Sequence, residues 1–106
     1  FMGERIGNCR WADAVSHSFH PVKIVTSGEG GMITTNDDEL AWRIGALRTH
    51  GITRDERRMT RASEGPWYYQ QLELGYNYRM TDLQAALGAS QMSKLEVFAA
   101  RRRELV

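Results

Sequence analysis

One lysine in this sequence has neighbours that suit covalent chemistry. Lys23 follows a His20–Pro21 corner and precedes a glycine-rich run at residues 28–31. Among the 14 lysines and arginines, only Lys23 and Lys94 are lysines. Arginine stays protonated and cannot act as an amine nucleophile, whereas lysine can lose its proton and form a Schiff base. Lys23 is therefore a candidate amine nucleophile, although composition alone favours a chance scarcity of lysine.

The elements around Lys23 predict a loop at the end of a strand. Residues 11–19 alternate loosely between apolar and polar side chains, which predicts a strand. Pro21 removes a backbone donor and biases His20 towards an extended conformation, so a central strand cannot continue through it. We therefore expect Lys23 on a loop at the carboxyl end of this strand. In open α/β sheets, that edge is where ligands bind.

The residues after Lys23 predict a tight turn, a returning strand and a helix. The glycines of residues 28–31 can adopt positive φ freely, and residues 32–35 have β propensity. Residues 36–39 combine a capping side chain with acids that favour the positive end of a helix dipole. Apolar residues then recur at helical spacing, and Gly51 is expected to end this helix.

A long loop and a second helix are predicted for the rest of the chain. Residues 52–71 have no clear period, and a loop of this length usually has a function or reaches a neighbour. The aromatic residues at 67–69 indicate either local packing or an interface. Residues 81–84 have the spacing of a capping box. The helix that they begin is predicted to run to about Glu104.

The composition is typical of a single globular domain and excludes several classes of protein. The chain has 106 residues, 42% of them hydrophobic and 25% charged, as in ordinary globular domains. A net charge of +1 argues against a nucleic-acid or anionic-membrane partner. The basic cluster at residues 54–61 contains acids and indicates a solvated loop, with nucleic-acid contact as the alternative. The apolar stretches are too short for a membrane span. Cys9 is the single cysteine, which fits a reducing cytoplasm, and no metal site is predicted.

Three motifs together resemble a known family. They are SFHPVK at residues 18–23, GEGG at residues 28–31 and GYNYRMTD at residues 75–82, in the order found in that family. The chain resembles the pyridoxal-phosphate-dependent nucleotide-sugar aminotransferases of the DegT/DnrJ/EryC1/StrS group. This resemblance implies an α/β fold in which residues 1–106 are a fragment of the large PLP-binding domain of a fold-type I, aspartate aminotransferase-like enzyme. The implied order is strand, lysine loop, strand, helix, long loop, helix.

The resemblance implies roles for individual residues. Lys23 matches the lysine that forms a Schiff base with pyridoxal 5'-phosphate, and Ser18 matches a hydroxyl that binds its phosphate. Asn77 matches a residue that reaches the cofactor phosphate of the neighbouring subunit, which implies a homodimer with shared active sites. His20 and Arg79 are candidate substrate contacts. The alternatives are turn chemistry for Ser18 and Asn77, packing for His20 and a surface charge for Arg79.

The implied activity is amino transfer from an amino acid, expected to be L-glutamate, to the keto carbon of a nucleotide-linked deoxy sugar. Residues 66–69 and 75–82 most resemble enzymes that aminate the 4-keto carbon of UDP-linked 6-deoxy sugars, as in pseudaminic acid biosynthesis. Such an enzyme would be cytoplasmic and serve surface polysaccharide synthesis. One alternative is a sugar dehydratase relative, but those relatives have histidine at the position of Lys23. The other is a non-catalytic fragment or dimerisation module.

Two features depart from the family pattern. His17 stands where an aromatic or apolar residue is usual, and a histidine on a buried strand needs a hydrogen-bond partner. The family's acid for the pyridine nitrogen, its glycine-threonine phosphate turn and its ring-stacking aromatic all lie upstream of the present segment. The small carboxyl-terminal domain is also absent. We therefore expect the chain to be a piece of a longer protein, with little or no activity in isolation.

Overall fold

The computed structural model describes residues 3–106, which form a mixed α/β structure. Its elements are β1 (Ala14–Ser18), β2 (Gly31–Thr35), α1 (Asp38–Leu47), β3 (Ile52–Thr53), β4 (Gln70–Gln71), α2 (Asp82–Met92) and α3 (Leu95–Glu104). A short 3₁₀ turn covers Glu56–Arg58. The described residues up to Thr35 form one compact unit with Met80–Val106, and Asn36–Arg79 form a second.

In the first unit, β1 and β2 pair in antiparallel register. Ala14 lies opposite Thr35 and Ser18 lies opposite Gly31, which confirms the predicted strand and returning strand. The first strand starts later than predicted, at Ala14, and it ends before Pro21 as expected. Both sheets in residues 3–106 are two-stranded and antiparallel, so a ligand site at the edge of an open sheet stays a prediction.

His17 on β1 has the partner that its position requires. Its side chain is half-buried, and its Nε2 lies 3.5 Å from Thr34 Oγ1 on β2. The donor in this contact depends on the histidine tautomer. The departure from the family pattern at His17 is therefore accommodated by a polar neighbour on the adjacent strand.

The predicted capping box at the start of α2 is confirmed. The Gln84 N–H donates to Thr81 Oγ1 at 3.3 Å, and the Thr81 N–H donates to Gln84 Oε1 at 3.0 Å. The prediction of one helix from here to Glu104 is wrong, because α2 ends at Met92 and α3 begins at Leu95.

Local polar contacts accompany this break between the helices. The Ser93 hydroxyl donates to the carbonyl oxygen of Ser90 at 2.8 Å, and Lys94 has φ −106° and ψ 4°, outside helical values. A serine side chain that binds a nearby backbone carbonyl competes with the regular helical ladder. An apolar pattern that continues across such a break therefore predicts a longer helix than the backbone forms.

In the second unit, α1 begins as its residues predict and ends at Leu47, four residues before the predicted stop at Gly51. The Asp37 carboxylate accepts from the Glu39 N–H at 2.9 Å and the Leu40 N–H at 3.0 Å. Beyond the helix, His50 and Gly51 have φ values of 59° and 68°, in the left-handed region that glycine tolerates best. The helix therefore ends earlier than predicted, and the left-handed residues His50 and Gly51 belong to the turn that follows it.

The prediction of a structureless loop over residues 52–71 is wrong at both ends. Ile52 pairs with Gln71 and Thr53 pairs with Gln70, so β3 and β4 close the base of the segment. Two-residue strands are too short to show a hydrophobic period, which explains why the sequence pattern did not reveal them. The loop is therefore confined to residues 54–69.

The described residues bury few hydrophobic side chains. Val25 and Ala46 are the buried hydrophobic residues among them, and Ser27 and Thr53 are the buried polar ones. Large apolar side chains stay exposed, including Ile6, Trp11, Val22, Trp67, Leu74, Tyr78 and Leu83. A single closed domain rarely exposes so many large apolar groups.

Among residues 3–106, no helix combines the length and apolar character needed to cross a membrane.

Candidate functional site

The loop between β1 and β2 is closed at its base by hydrogen bonds to one residue. The Phe19 N–H donates to the Gly30 carbonyl at 2.8 Å, and the Phe19 carbonyl accepts from the Ser27 N–H at 3.0 Å. The Thr26 hydroxyl also donates to the Phe19 carbonyl, at 2.9 Å. These bonds fix where the loop leaves and rejoins the sheet.

Lys23 lies on this loop, as predicted. Its backbone N–H donates to the His20 carbonyl at 3.0 Å, which forms a turn around Pro21. Its side chain is exposed, and within residues 3–106 its amine forms no recorded hydrogen bond or ion pair. The amine is therefore accessible to a bound molecule.

Ser18 is the last residue of β1, and His20 lies on the turn that carries Lys23. The Ser18 hydroxyl accepts from the His20 N–H at 3.4 Å, and His20 Nδ1 accepts from the Val22 N–H at 3.4 Å. The second contact requires Nδ1 to be unprotonated, so a neutral His20 carries its proton on Nε2. Both side chains are exposed. A hydroxyl, an imidazole and an amine are thus presented by one short segment.

The glycine-rich run packs closely against Ser27 and Met80. Gly28 and Gly30 have φ values of 82° and 151°, and a Cβ on Gly30 would lie 2.5 Å from Ser27 Oγ and 2.6 Å from Met80 Cε. Ser27 is 2% exposed, and its hydroxyl donates to the Glu29 carbonyl at 2.8 Å. Sequence reasoning missed this structural role of Ser27, which only its position just before the glycine run could have signalled.

Asn77 and Arg79 belong to the second unit. The backbone of the segment that carries them is hydrogen bonded to the end of α1. The Tyr76 N–H donates to the Leu47 carbonyl at 2.6 Å, and the Tyr78 N–H donates to the Arg48 carbonyl at 2.9 Å. Asn77 itself forms an antiparallel bridge with the residue after Arg48. The side chains of Asn77 and Arg79 are both exposed. A site shared between Asn77 and Lys23 stays a prediction.

The two tyrosines beside Asn77 are also exposed. The rings of Tyr76 and Tyr78 are stacked, with their centroids 4.8 Å apart and their planes at 13°. Side chains alternate between the two faces of an extended segment. The stacked rings therefore occupy one side of this segment, and Asn77 occupies the other.

The predicted basic cluster at residues 54–61 is partly neutralised by acids. The hydrogen bond that Arg57 donates to Asp55 lowers the pKa of that carboxyl. Arg58 donates to both oxygens of Glu39, at 2.9 and 2.6 Å, and lowers the pKa of Glu39. The second pair also holds the Arg58 guanidinium 3.9 Å from the ring centroid of Trp42. These pairs favour a structural role for the cluster.

The groups on the Lys23 turn fit the cofactor that the resemblance implies. An aldehyde needs a primary amine, which Lys23 presents in exposed form. A phosphate needs hydroxyl and amide donors, and the Ser18 hydroxyl is exposed at the end of β1, just before the same turn. These two groups therefore fit the requirements of a pyridoxal phosphate site, and the roles of Lys23 and Ser18 in such a site stay predictions.

The DegT/DnrJ/EryC1/StrS aminotransferase family matches residues 1–106, so the chain belongs to this family. It is 39% identical over 105 residues to the UDP-4-amino-4,6-dideoxy-N-acetyl-beta-L-altrosamine transaminase of Campylobacter jejuni, over 99% of this chain and 25% of that protein. The chain spans about a quarter of the length of the curated relatives that it matches.

Solved structures show the same relationship. The Helicobacter pylori aminotransferase PseC, involved in pseudoaminic acid biosynthesis, superposes with a TM-score of 0.76 at 30% identity, over 92% of this chain and 23% of that chain. Spr1654 from Streptococcus pneumoniae, in its PLP-form, superposes with a TM-score of 0.77 at 31% identity, over 96% and 24%. The predicted fold-type I α/β class is confirmed.

Proposed function

We propose that this chain is the lysine-bearing part of the large domain of a pyridoxal-phosphate-dependent nucleotide-sugar aminotransferase. The whole enzyme moves an amino group from an amino acid, with L-glutamate as the donor, to the keto carbon of a nucleotide-linked deoxy sugar. The products are a 2-oxo acid and an amino sugar for surface polysaccharide or glycan synthesis. The observation that carries the proposal is the exposed amine of Lys23. It lies on the loop between β1 and β2, and hydrogen bonds of Phe19 close the base of this loop.

Each residue of the site has a role that its chemistry allows. Bound pyridoxal phosphate supplies the electron sink that stabilises negative charge at the carbon beside the amino group. The Lys23 amine holds the cofactor and, once released, carries a proton at Nζ. The Ser18 hydroxyl donates to the phosphate, and Asn77 does so in the site of the neighbouring subunit. His20 and Arg79 contact the substrate from exposed positions.

The exposed apolar side chains support an assembly larger than this chain. Leu74 is 89% exposed and Leu83 is 85% exposed, and burial of such groups is the main driving force for association. We propose that the remainder of a longer protein and a second subunit of a homodimer cover them. The free thiol of Cys9 supports a cytoplasmic location, where thiols stay reduced.

The names of the relatives support a narrower substrate. The Campylobacter jejuni relative is a transaminase of a UDP-linked 4,6-dideoxy amino sugar, and PseC acts in pseudoaminic acid biosynthesis. We therefore propose a UDP-linked 4-keto-6-deoxy sugar as the amino acceptor. Amination at carbon 4 would give the 4-amino-4,6-dideoxy product.

The test is a cofactor titration of the full-length protein, followed by absorbance of the lysine-bound cofactor in the visible range. The wild-type protein should develop this absorbance, and Lys23→Ala should not. The Lys94→Ala variant loses the other lysine, at the start of α3, and should behave like wild type. Absence of the absorbance in the wild-type protein, or its persistence in Lys23→Ala, would contradict the proposal.

A second measurement addresses the reaction itself. Full-length protein given L-glutamate and a UDP-linked 4-keto-6-deoxy sugar should release 2-oxoglutarate, and Lys23→Arg should not, because a guanidinium cannot act as the amine. The isolated 106-residue chain should show weak or no turnover. Robust turnover by the isolated chain would show that residues outside it are not needed for the reaction.

A further inference from the structure

The backbone of the Lys23 turn is attached to a helix far away in the sequence. Within the described part of the chain, one hydrogen bond joins residues 20–25 to a residue distant in the sequence. In that bond, Arg102 Nη2 on α3 donates to the carbonyl oxygen of Lys23 at 3.2 Å. The other hydrogen bonds of residues 20–25 are local and join residues within 18–23, such as the one from the Lys23 N–H to the His20 carbonyl.

The surroundings of Arg102 suit this contact. Ile24, Ala99 and the Arg102 side chain line one apolar recess, and an arginine can cover apolar surface with its stem while its guanidinium reaches a polar partner. Arg102 also lies in the last turn of α3, where a cation interacts favourably with the helix dipole. The apolar stem of Arg102 therefore lies along the recess, and its guanidinium has a polar partner in the Lys23 carbonyl.

The neighbouring arginines of α3 are placed differently. Arg101 donates to the Glu104 carboxylate on its own helix, at 2.8 Å. Arg103 lines the same recess but forms no recorded hydrogen bond to the Lys23 turn in residues 3–106. Arg102 therefore differs from Arg101 and Arg103 in its hydrogen-bond partner, although all three are exposed arginines on α3.

We infer that Arg102 is a positioning residue for Lys23, an inference that rests on the proposed function. The bond to the Lys23 carbonyl fixes the peptide from which the reactive side chain starts. Small errors in the placement of a reacting group are costly to reactivity. Arg102 acts here through the backbone of Lys23 and has no assigned contact with the cofactor or the substrate.

The experiment compares Arg102→Met with Arg103→Met and Arg102→Lys in the full-length protein. Amide hydrogen exchange of a peptide covering residues 19–27 is measured without cofactor, and cofactor affinity is measured from the absorbance of the lysine-bound form. Arg102→Met should speed exchange in this peptide about fivefold and weaken cofactor binding by about the same factor, as expected for one lost hydrogen bond. Arg103→Met should match wild type, and Arg102→Lys should recover part of both effects because it keeps a charged donor.

The outcomes separate this inference from the proposed function. If Arg102→Met and Arg103→Met show the same exchange and the same cofactor affinity, Arg102 does not position Lys23. If Arg102→Met speeds exchange equally in residues 19–27 and in β1 and β2, its role is general stability and the inference is wrong. If the wild-type protein never binds cofactor covalently but Arg102→Met alone speeds exchange in residues 19–27, the anchoring is supported and the proposed function fails.

Discussion

Gly75 lies so close to the backbone nitrogen of Gly51 that it has no room for a side chain, and a Cβ on Gly51 would itself collide with the carbonyl oxygen of Glu73. A Cβ on Gly75 would lie 2.6 Å from the carbonyl carbon of His50 and 2.7 Å from the carbonyl oxygen of Leu47. Here the segment that carries Asn77 runs along the end of α1. Backbone atoms cannot rotate away as a flexible side chain can, so the close contact requires glycine.

Gly75→Ala should therefore destabilise the second unit by about 3 kcal/mol, at the upper end of the usual cost of overpacking. The matched control is Gly45→Ala, because Gly45 lies within α1 and a Cβ there would meet nothing within 4 Å. This control should stabilise the helix by about 0.5–1 kcal/mol. Urea denaturation followed by circular dichroism measures both changes. A Gly75→Ala variant as stable as wild type would contradict the packing described.

Gly30→Ala should be more harmful than Gly28→Ala. Both glycines have positive φ, but a Cβ on Gly28 would meet nothing within 4 Å, whereas one on Gly30 would collide with Ser27 and Met80. We expect a cost of about 1 kcal/mol for Gly28→Ala from backbone strain alone. Gly30→Ala should cost about 2 kcal/mol, because the side chains of Ser27 and Met80 must also move to make room for the Cβ. Equal destabilisation of the two variants, measured by thermal melting, would show that the collision at Gly30 is relieved.

Thr81→Ala should weaken the start of α2 by about 1 kcal/mol, because it removes the hydroxyl that accepts from the Gln84 N–H. Thr81→Ser keeps this hydroxyl and is the matched control. Hydrogen exchange of the first turn of α2 should rise in Thr81→Ala and stay near wild type in Thr81→Ser. If both variants exchange equally fast, the capping hydroxyl does not stabilise this helix end.

Glu39→Gln should reduce the loss of stability that occurs on acidification. The hydrogen bond from Arg58 is the main cause of the lowered pKa of Glu39. A carboxyl with a lowered pKa stabilises the folded state above its unfolded pKa, and this contribution is lost as the pH falls through the folded pKa. Glu39 and Arg58 have 66% and 33% of their side chains exposed, so the effect should be small and should weaken with added salt.

The measurement for this pair is the free energy of unfolding as a function of pH between neutral and strongly acidic solution. Glu64→Gln is the control for loss of one carboxylate, since Glu64 is exposed and forms no ion pair within residues 3–106. The curve of Glu39→Gln should be flatter than that of wild type, and the curve of Glu64→Gln should follow wild type more closely. Identical curves for the two variants would contradict a specific contribution from Arg58.

Local chemistry in the sequence determined where several elements begin and end. Pro21 cannot continue a strand, Asp37 caps α1, and Thr81 with Gln84 forms the capping box of α2. Each of these outcomes depends on residues within a few positions of one another. The position of Lys23 on a loop after β1 followed from the same kind of local restriction, and so the central element of the candidate site could be predicted from sequence.

Tertiary structure decided the features that join residues distant in the chain. The pairing of Ile52 with Gln71, the contact of Gly75 with Gly51 and the bond from Arg102 to Lys23 leave no periodic signal in the sequence. Their formation depends on which surfaces meet after the chain has folded, because a backbone carbonyl or a glycine accepts many partners equally well. The sequence therefore predicts which residues form the candidate site, whereas the bond from Arg102 to the Lys23 carbonyl is decided by the tertiary structure.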